Sequence, residues 1–123
     1  MEKKQQFKSL RPFIGARNFN ESCNFYKDLG FNETILSKNL NVFKVNDKLS
    51  FYLQKAFVKD WVENTMLFLE VDNIEDYLSK LQTKQLIKKY PKVKLSKIVE
   101  NDWGKEFFLH DPSGILWHIG CFY

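Results

Sequence analysis

The chain has 123 residues, which suits one compact domain and leaves no room for separate catalytic and regulatory domains. Its hydrophobic fraction of 44% and aromatic fraction of 16% are enough to build a sizeable core and exclude a disordered chain. The formal net charge of +4 favours anionic over strongly cationic partners, and no apolar run is long enough to span a membrane.

The first predicted elements are a strand and a helix. The stretch "LRPFIGAR" fits a strand whose core face carries Leu10, Pro12, Ile14 and Ala16. Asn18 with Glu21 three residues later resembles a capping box, and Gly30 stands where a left-handed helix end is favoured. The sequence therefore predicts a helix of about three turns after the first strand.

Three short strands complete the first half. The apolar runs "ETILS", "NVFKV" and "LSFYLQ" are separated by "KNLN" and "NDK", which are typical of hairpin turns. The first half is therefore predicted to run strand, helix, strand, strand, strand.

The second half repeats this order. "MLFLEV" predicts a strand, and Asn73 with Asp76 repeats the spacing of the first helix cap. After the lysine-rich connector "KQLIKKYPKVK", the runs "LSKIVEN", "KEFFLHD" and "ILWHIGC" predict three more strands. The order indicates an internal duplication, with one module at about 7–57 and the other at about 62–123 of a single domain, 1–123.

A tight turn joins the last two strands. Asp111, Pro112 and Gly114 occupy the first, second and fourth positions that a type I turn favours. A hairpin in simple register places Glu106 and Phe108 on the same face as His118. Whether Glu106 and His118 come within hydrogen-bonding distance is left open by the sequence.

The repeated unit, together with "FYKDLGF" in the first helix and "WGKEFFLHDPSGILWHIG" at the end, resembles the vicinal oxygen chelate superfamily. That superfamily contains glyoxalase I, extradiol dioxygenases and the bleomycin-resistance proteins, and the closing motif is most similar to the bleomycin-resistance branch. The resemblance implies an α+β fold in which two βαβββ modules form a cup-shaped, incompletely closed mixed sheet with helices on the outside. It also implies a homodimer.

The same resemblance implies where enzymes of the superfamily hold a metal ion. The four ligand positions correspond to Arg11, Tyr52, Met66 and His118 of this sequence. Arginine has no acceptor lone pair and methionine is a soft donor, so only His118 is a suitable ligand. We therefore expect no metal and no other cofactor.

The remaining side chains on the predicted cup face are mostly aromatic, which is typical of a surface that stacks on a planar ligand. Arg11 is expected either to bind an anionic ligand group or to pair with Glu70 or Glu106. His118 is expected to be a polar anchor or a general base, or simply a histidine satisfied within the sheet. The predicted ligand-binding residues are Arg11, Phe13, Tyr52, Met66, Phe68, Trp103, Glu106, Phe108 and His118.

These expectations favour a metal-free protein that sequesters an antibiotic-like or other partly aromatic molecule, without catalysis. The alternative is a metal-dependent lyase, isomerase or dioxygenase with a shifted metal site at His118, Glu106 and Glu70. A third is a small dimeric interaction module with a filled cup. We expect no nucleic-acid partner, because the lysines of the connector lack a reading motif, and no membrane partner. With Cys23 and Cys121 expected as free thiols, a cytoplasmic location is predicted.

Overall fold

The computed structural model describes residues 3–123, so the first two residues of the predicted domain 1–123 lie outside the described part. Two separate sheets and the helices beside them make up an α+β fold without a closed barrel, as predicted. The first module contains β1 (Phe13–Gly15), α1 (Phe19–Leu29), β2 (Asn32–Ser37), β3 (Leu40–Lys44) and β4 (Ser50–Gln54). The second contains α2 (Lys59–Glu63), β5 (Met66–Glu70), α3 (Ile74–Thr83), α4 (Leu86–Lys89), β6 (Lys94–Leu95), β7 (Val99–Glu100), β8 (Gly104–His110) and β9 (Leu116–Phe122).

The two sheets follow the same plan. The first has the order β1-β4-β3-β2, and the second has the order β5-β9-β8-β6 with β7 also paired to β8. In each sheet the strand that precedes the helix lies parallel to the last strand of its module. The predicted duplication of the strand-helix-strands order is therefore present in the structure.

The helix caps form as the sequence predicts. The side chain of Asn18 accepts a hydrogen bond from the backbone N–H of Glu21, and Asn73 does the same for Asp76. Gly30 ends α1 with a φ of 108°, in the left-handed region where glycine has no steric cost.

The first strand is shorter than predicted. It begins at Phe13, and Leu10 is 97% exposed, so its predicted place on the core face is wrong. Pro12 has no N–H to pair with a neighbouring strand, although its carbonyl oxygen accepts from Tyr52 N at 2.9 Å. The segment before Pro12 therefore continues outside the sheet.

The predicted strand "LSKIVEN" is also divided. β6 and β7 are two residues each, and between them the hydroxyl of Ser96 accepts a hydrogen bond from Phe108 N at 2.8 Å. A side chain that takes the place of a ladder carbonyl interrupts regular pairing. The short helix α4 forms within the predicted lysine-rich connector, and α2 forms just before β5, where no element was predicted.

A single hydrophobic core joins the two modules. Tyr26 of α1 and Phe51 of β4 pack against Trp117 of β9, with ring centroids 6.0 and 5.3 Å from the indole. The buried Tyr26 hydroxyl donates to Asp111 Oδ2 at 2.7 Å and accepts from Trp117 Nε1 at 3.0 Å. This network ties the first helix to the turn of the last hairpin.

No helix within residues 3–123 is long and apolar enough to cross a bilayer.

Candidate functional site

Three of the predicted residues meet on the first sheet, on the face turned away from the core. Phe13 and Tyr52 are register partners on β1 and β4, and their rings stack with centroids 4.5 Å apart. Arg11 Nη1 donates to the Tyr52 hydroxyl at 3.4 Å, and the guanidinium carbon lies 5.7 Å from the Tyr52 ring centroid. We call these three residues the first open face. Phe13 is 50% exposed, so this aromatic surface faces outward.

Arg11 has a polar atom that nothing in the described chain satisfies. Its Nε is buried and has no hydrogen-bond partner among residues 3–123. No carboxylate within the described residues lies within 4.0 Å of the guanidinium, so the predicted pairing with Glu70 or Glu106 does not form. A buried donor without a partner is costly, and an anionic or carbonyl acceptor would relieve that cost.

The other six predicted residues gather on the second sheet. Strand pairing places Phe68 opposite His118 and His118 opposite Phe108, so the three share one face. We call this surface the second open face, and it consists of Met66, Phe68, Trp103, Glu106, Phe108 and His118. Met66 is 63% exposed and Phe68 is 47% exposed. Both residues lie on β5, the edge strand of the sheet, so this edge presents uncovered apolar surface.

Glu106 and His118 form the hydrogen bond that the sequence left open. His118 Nδ1 lies 2.9 Å from Glu106 Oε1, and Asn101 Nδ2 donates to the other carboxylate oxygen at 2.7 Å. Since a carboxylate only accepts hydrogen bonds, Nδ1 is the donor, and in the neutral ring Nε2 is then an acceptor. Nε2 lies 3.5 Å from Met66 Sδ, which offers it no donor. Its lone pair is therefore available to a ligand donor.

The aromatic side chains of the second open face contact one another. Phe68 lies edge-on to Trp103 at 5.8 Å, and Phe108 lies edge-on to His118 at 5.2 Å. Phe122 joins them, with ring centroids 5.1 Å from Trp103 and 5.9 Å from Phe68. Phe122 was not among the predicted residues, although two-residue alternation from His118 along β9 points to it.

The two open faces are separate within one chain. No hydrogen bond or ring contact joins the first to the second across the described residues. Five surface cavities with volumes between about 230 and 560 Å³ are lined by other residues. One chain therefore presents two outward aromatic surfaces, each with a polar group.

The donor set does not suit a metal ion. Within residues 3–123, no group of three or more His, Cys, Asp and Glu side chains is placed to hold one. The predicted shifted metal site at His118, Glu106 and Glu70 is therefore not formed among these residues. Arg11 and Met66 offer neither an imidazole nor a carboxylate.

Several solved structures have a fold similar to that of this chain. No protein-family model matches this sequence, and no curated protein is significantly similar to it. The bleomycin-binding protein of Streptomyces verticillus, in complex with copper(II)-bleomycin, has a TM-score of 0.80 at 16% identity over 98% of this chain and 100% of its own. The bleomycin resistance determinant encoded on transposon Tn5 has a TM-score of 0.72 at 18% identity, covering 94% of this chain and 98% of its own.

A glyoxalase/bleomycin resistance protein from Catenulispora acidiphila has a TM-score of 0.73 at 16% identity, covering 94% of this chain and 98% of its own. The fold is thus that of the bleomycin-binding proteins and of glyoxalase/bleomycin resistance domains. The predicted resemblance to the bleomycin-resistance proteins therefore holds for the fold.

Proposed function

We propose that this protein binds and sequesters a small, partly aromatic molecule, without a metal ion and without turnover. The observation that carries the proposal is the pair of open faces. Each combines exposed aromatic rings with one oriented polar group, Arg11 on the first and the His118–Glu106 pair on the second. Exposed apolar patches with a few converging polar groups are typical of ligand sites.

The ligand site in this proposal is a cup that two copies of the chain form together, with the first open face of one copy opposite the second open face of the other. The separation of the two faces within one chain supports this arrangement. Phe7, at 93% exposure, and Leu10, at 97%, lie just before the first open face and contribute further uncovered apolar surface. A second copy would bury these side chains, which water solvates poorly.

The charge of the site indicates the kind of ligand. Structures of this fold include proteins bound to bleomycin, and we extend small-molecule binding of that kind to this chain. The buried, unpaired Nε of Arg11 favours a ligand with a carboxylate, sulfonate or similar acceptor beside its aromatic part. The net charge of +4 also disfavours a strongly cationic drug.

Fluorescence titration with the aromatic sulfonate 1-anilinonaphthalene-8-sulfonate tests the proposal. We expect saturable binding, and we expect Arg11→Gln to weaken it about tenfold through loss of a charge-assisted hydrogen bond. Lys80→Gln is the matched control. It also removes one positive charge, but Lys80 pairs with Asp76 on α3, away from the two open faces. Non-saturable binding, or equal weakening by the two variants, would contradict the proposal.

The alternative of a metal-dependent enzyme keeps one supporting feature, because the oriented Nε2 of His118 could accept a proton from a substrate. Elemental analysis of the purified protein discriminates between the two functions. Stoichiometric metal, removed by a chelator with loss of a lyase or dioxygenase activity, would favour the enzyme over the binding protein.

A further inference from the structure

A cavity with three cationic side chains in its wall lies beside the turn of the last hairpin. Its volume is about 320 Å³, and Arg17, Lys92 and Lys94 line it together with His110 and Ser113. We call it the basic cavity. His110 lies at the end of β8, beyond the part of that strand that carries the second open face. No predicted ligand-binding residue lines this cavity, so it is distinct from the open faces.

The cations of the basic cavity come from separate parts of the chain. Arg17 follows β1, Lys92 lies between α4 and β6, and Lys94 is on β6 directly opposite His110. A neighbouring cavity of about 470 Å³ shares Arg17 and Lys92 and adds Lys38 and Lys55. The fold therefore brings five cations to one surface.

Few acidic groups balance this charge. Glu63 lines the basic cavity and Glu21 lines its neighbour, which leaves an excess of positive charge. Within residues 3–123, no carboxylate lies within 4.0 Å of Arg17, Lys92 or Lys94. Four other lysines do have such partners, namely Lys27, Lys80, Lys89 and Lys105. Uncompensated like charges repel one another, and a bound anion would remove that repulsion.

Arg17 is held in position for an anion. Its guanidinium carbon lies 4.7 Å from the centroid of the Phe57 ring, and its backbone N–H donates to Ser113 Oγ at 2.9 Å. Contact with the aromatic face restrains the side chain while its planar N–H groups stay available. A guanidinium placed in this way matches the oxygens of a phosphoryl group.

We propose that the basic cavity binds a small polyanion with adjacent phosphoryl groups, which either inorganic pyrophosphate or the diphosphate part of a nucleotide supplies. Two linked phosphoryl groups fit because Arg17 and Lys92 line both cavities, so that one group can occupy each. When His110 is protonated, both of its ring nitrogens carry a hydrogen, so it can donate a hydrogen bond to the phosphoryl group in the basic cavity.

His110 provides a direct probe of occupancy. Burial and the charge of Lys94 lower its pKa in the free protein. The other charged groups that line the cavity with it are Arg17, Lys92 and Glu63. An anion bound among these groups favours the protonated imidazole, so binding raises the pKa of His110.

We suggest NMR titration of the two histidines across pH, with and without sodium pyrophosphate, at an ionic strength held constant with sodium chloride. The expected result is a saturable rise of about one unit in the pKa of His110. Arg17→Gln should weaken pyrophosphate about tenfold, and Lys92→Gln, at an exposed position, serves as a second variant if Arg17→Gln does not fold. Lys80→Gln should leave the affinity within about twofold of the wild type.

Three results would overturn the proposal. The first is that sodium chloride alone reproduces the shift of His110, and the second is that pyrophosphate shifts His118 while His110 stays unchanged. The second outcome would place the anion at the second open face. The third is that a fluorescently labelled single-stranded oligonucleotide binds through Arg17 while pyrophosphate does not bind. A failure of 1-anilinonaphthalene-8-sulfonate binding would leave these measurements unaffected, because the two sites share no residue.

Discussion

Asp111 is a fully buried carboxyl group that holds the turn of the last hairpin. Its Oδ1 accepts from the backbone N–H groups of Ser113 and Ile115, and its Oδ2 accepts from Tyr26. Burial outweighs these hydrogen bonds and raises the pKa of Asp111 to about 6. The folded protein therefore holds this proton more tightly than the unfolded chain does.

The resulting prediction concerns stability against pH. Because the pKa is raised on folding, the contribution of Asp111 is full below about pH 4 and is lost as pH rises through about 6, by on the order of 3 kcal/mol. Urea denaturation of wild type and Asp111→Asn from pH 4 to 7 measures it. The free energy of unfolding of the wild type, relative to the variant, should fall across this range.

The comparison with Asp111→Asn is needed because other carboxylates act in the opposite direction. A hydrogen bond from Tyr90 lowers the pKa of Asp28, so Asp28 contributes stability as pH rises. Asp28 titrates in both proteins and cancels in the difference. Parallel pH profiles for the two proteins would show that Asp111 does not titrate as described.

At the scale of elements, two glycines of the β8–β9 hairpin allow a matched test of the second open face. A Cβ at Gly120 would lie 2.8 Å from Phe68 Cζ, at the far end of a half-exposed side chain, and 3.1 Å from the backbone oxygen of Lys105, which would have to shift only slightly. A Cβ at Gly104 would lie 2.1 Å from the backbone oxygen of Cys121. Phe68 can turn aside, but the backbone of a paired strand cannot.

We therefore expect Gly120→Ala to cost about 1 kcal/mol of unfolding free energy and Gly104→Ala about 3 kcal/mol or more. Denaturant unfolding measures both costs. Gly120→Ala should also change the binding of 1-anilinonaphthalene-8-sulfonate, since Phe68 belongs to the second open face, where we propose that the ligand binds. Equal costs for the two variants, with binding unchanged, would contradict this description of Phe68.

The elements that the sequence predicts correctly are those specified by nearby residues. Asn18 and Asn73 each satisfy a backbone N–H three residues away, and Asp111 satisfies its own turn. Such bonds depend little on the rest of the fold. For the same reason, the hairpin register that pairs Phe108 with His118 follows from the turn.

The elements that the sequence did not predict depend on distant contacts. α2 has no side-chain hydrogen bond at its N-cap, and its fully buried Val62 is part of the shared core. α4 begins after Gln85, which has a φ of 54° without being a glycine. Division of the strand "LSKIVEN" follows from a hydrogen bond between Ser96 and Phe108, twelve residues away.

The candidate site was predictable only in part. Alternation along β8 and β9 correctly places Glu106, Phe108 and His118 on one face. The separation of Arg11, Phe13 and Tyr52 from that face depends on how the two modules pack on the core, and no local pattern encodes that packing. The metal-free interpretation remains a prediction from the chemistry of the side chains.

For the whole molecule, the packing of both modules on one core directs the open faces outward. A single chain therefore leaves Phe13, Met66 and Phe68 about half exposed. Burial of their apolar surface would lower the free energy of the protein in water. In the dimer that we propose, the pairing of two copies would cover both faces at once and would place Arg11 of one copy near His118 of the other.

The most direct test of this account is a crystal structure of the protein as purified from cells. We predict a symmetric dimer in which Arg11 from one copy and His118 from the other line the same cavity, with density for a small molecule between them. A structure in which Arg11 and His118 face different cavities, or in which both open faces remain in contact with solvent, would contradict it.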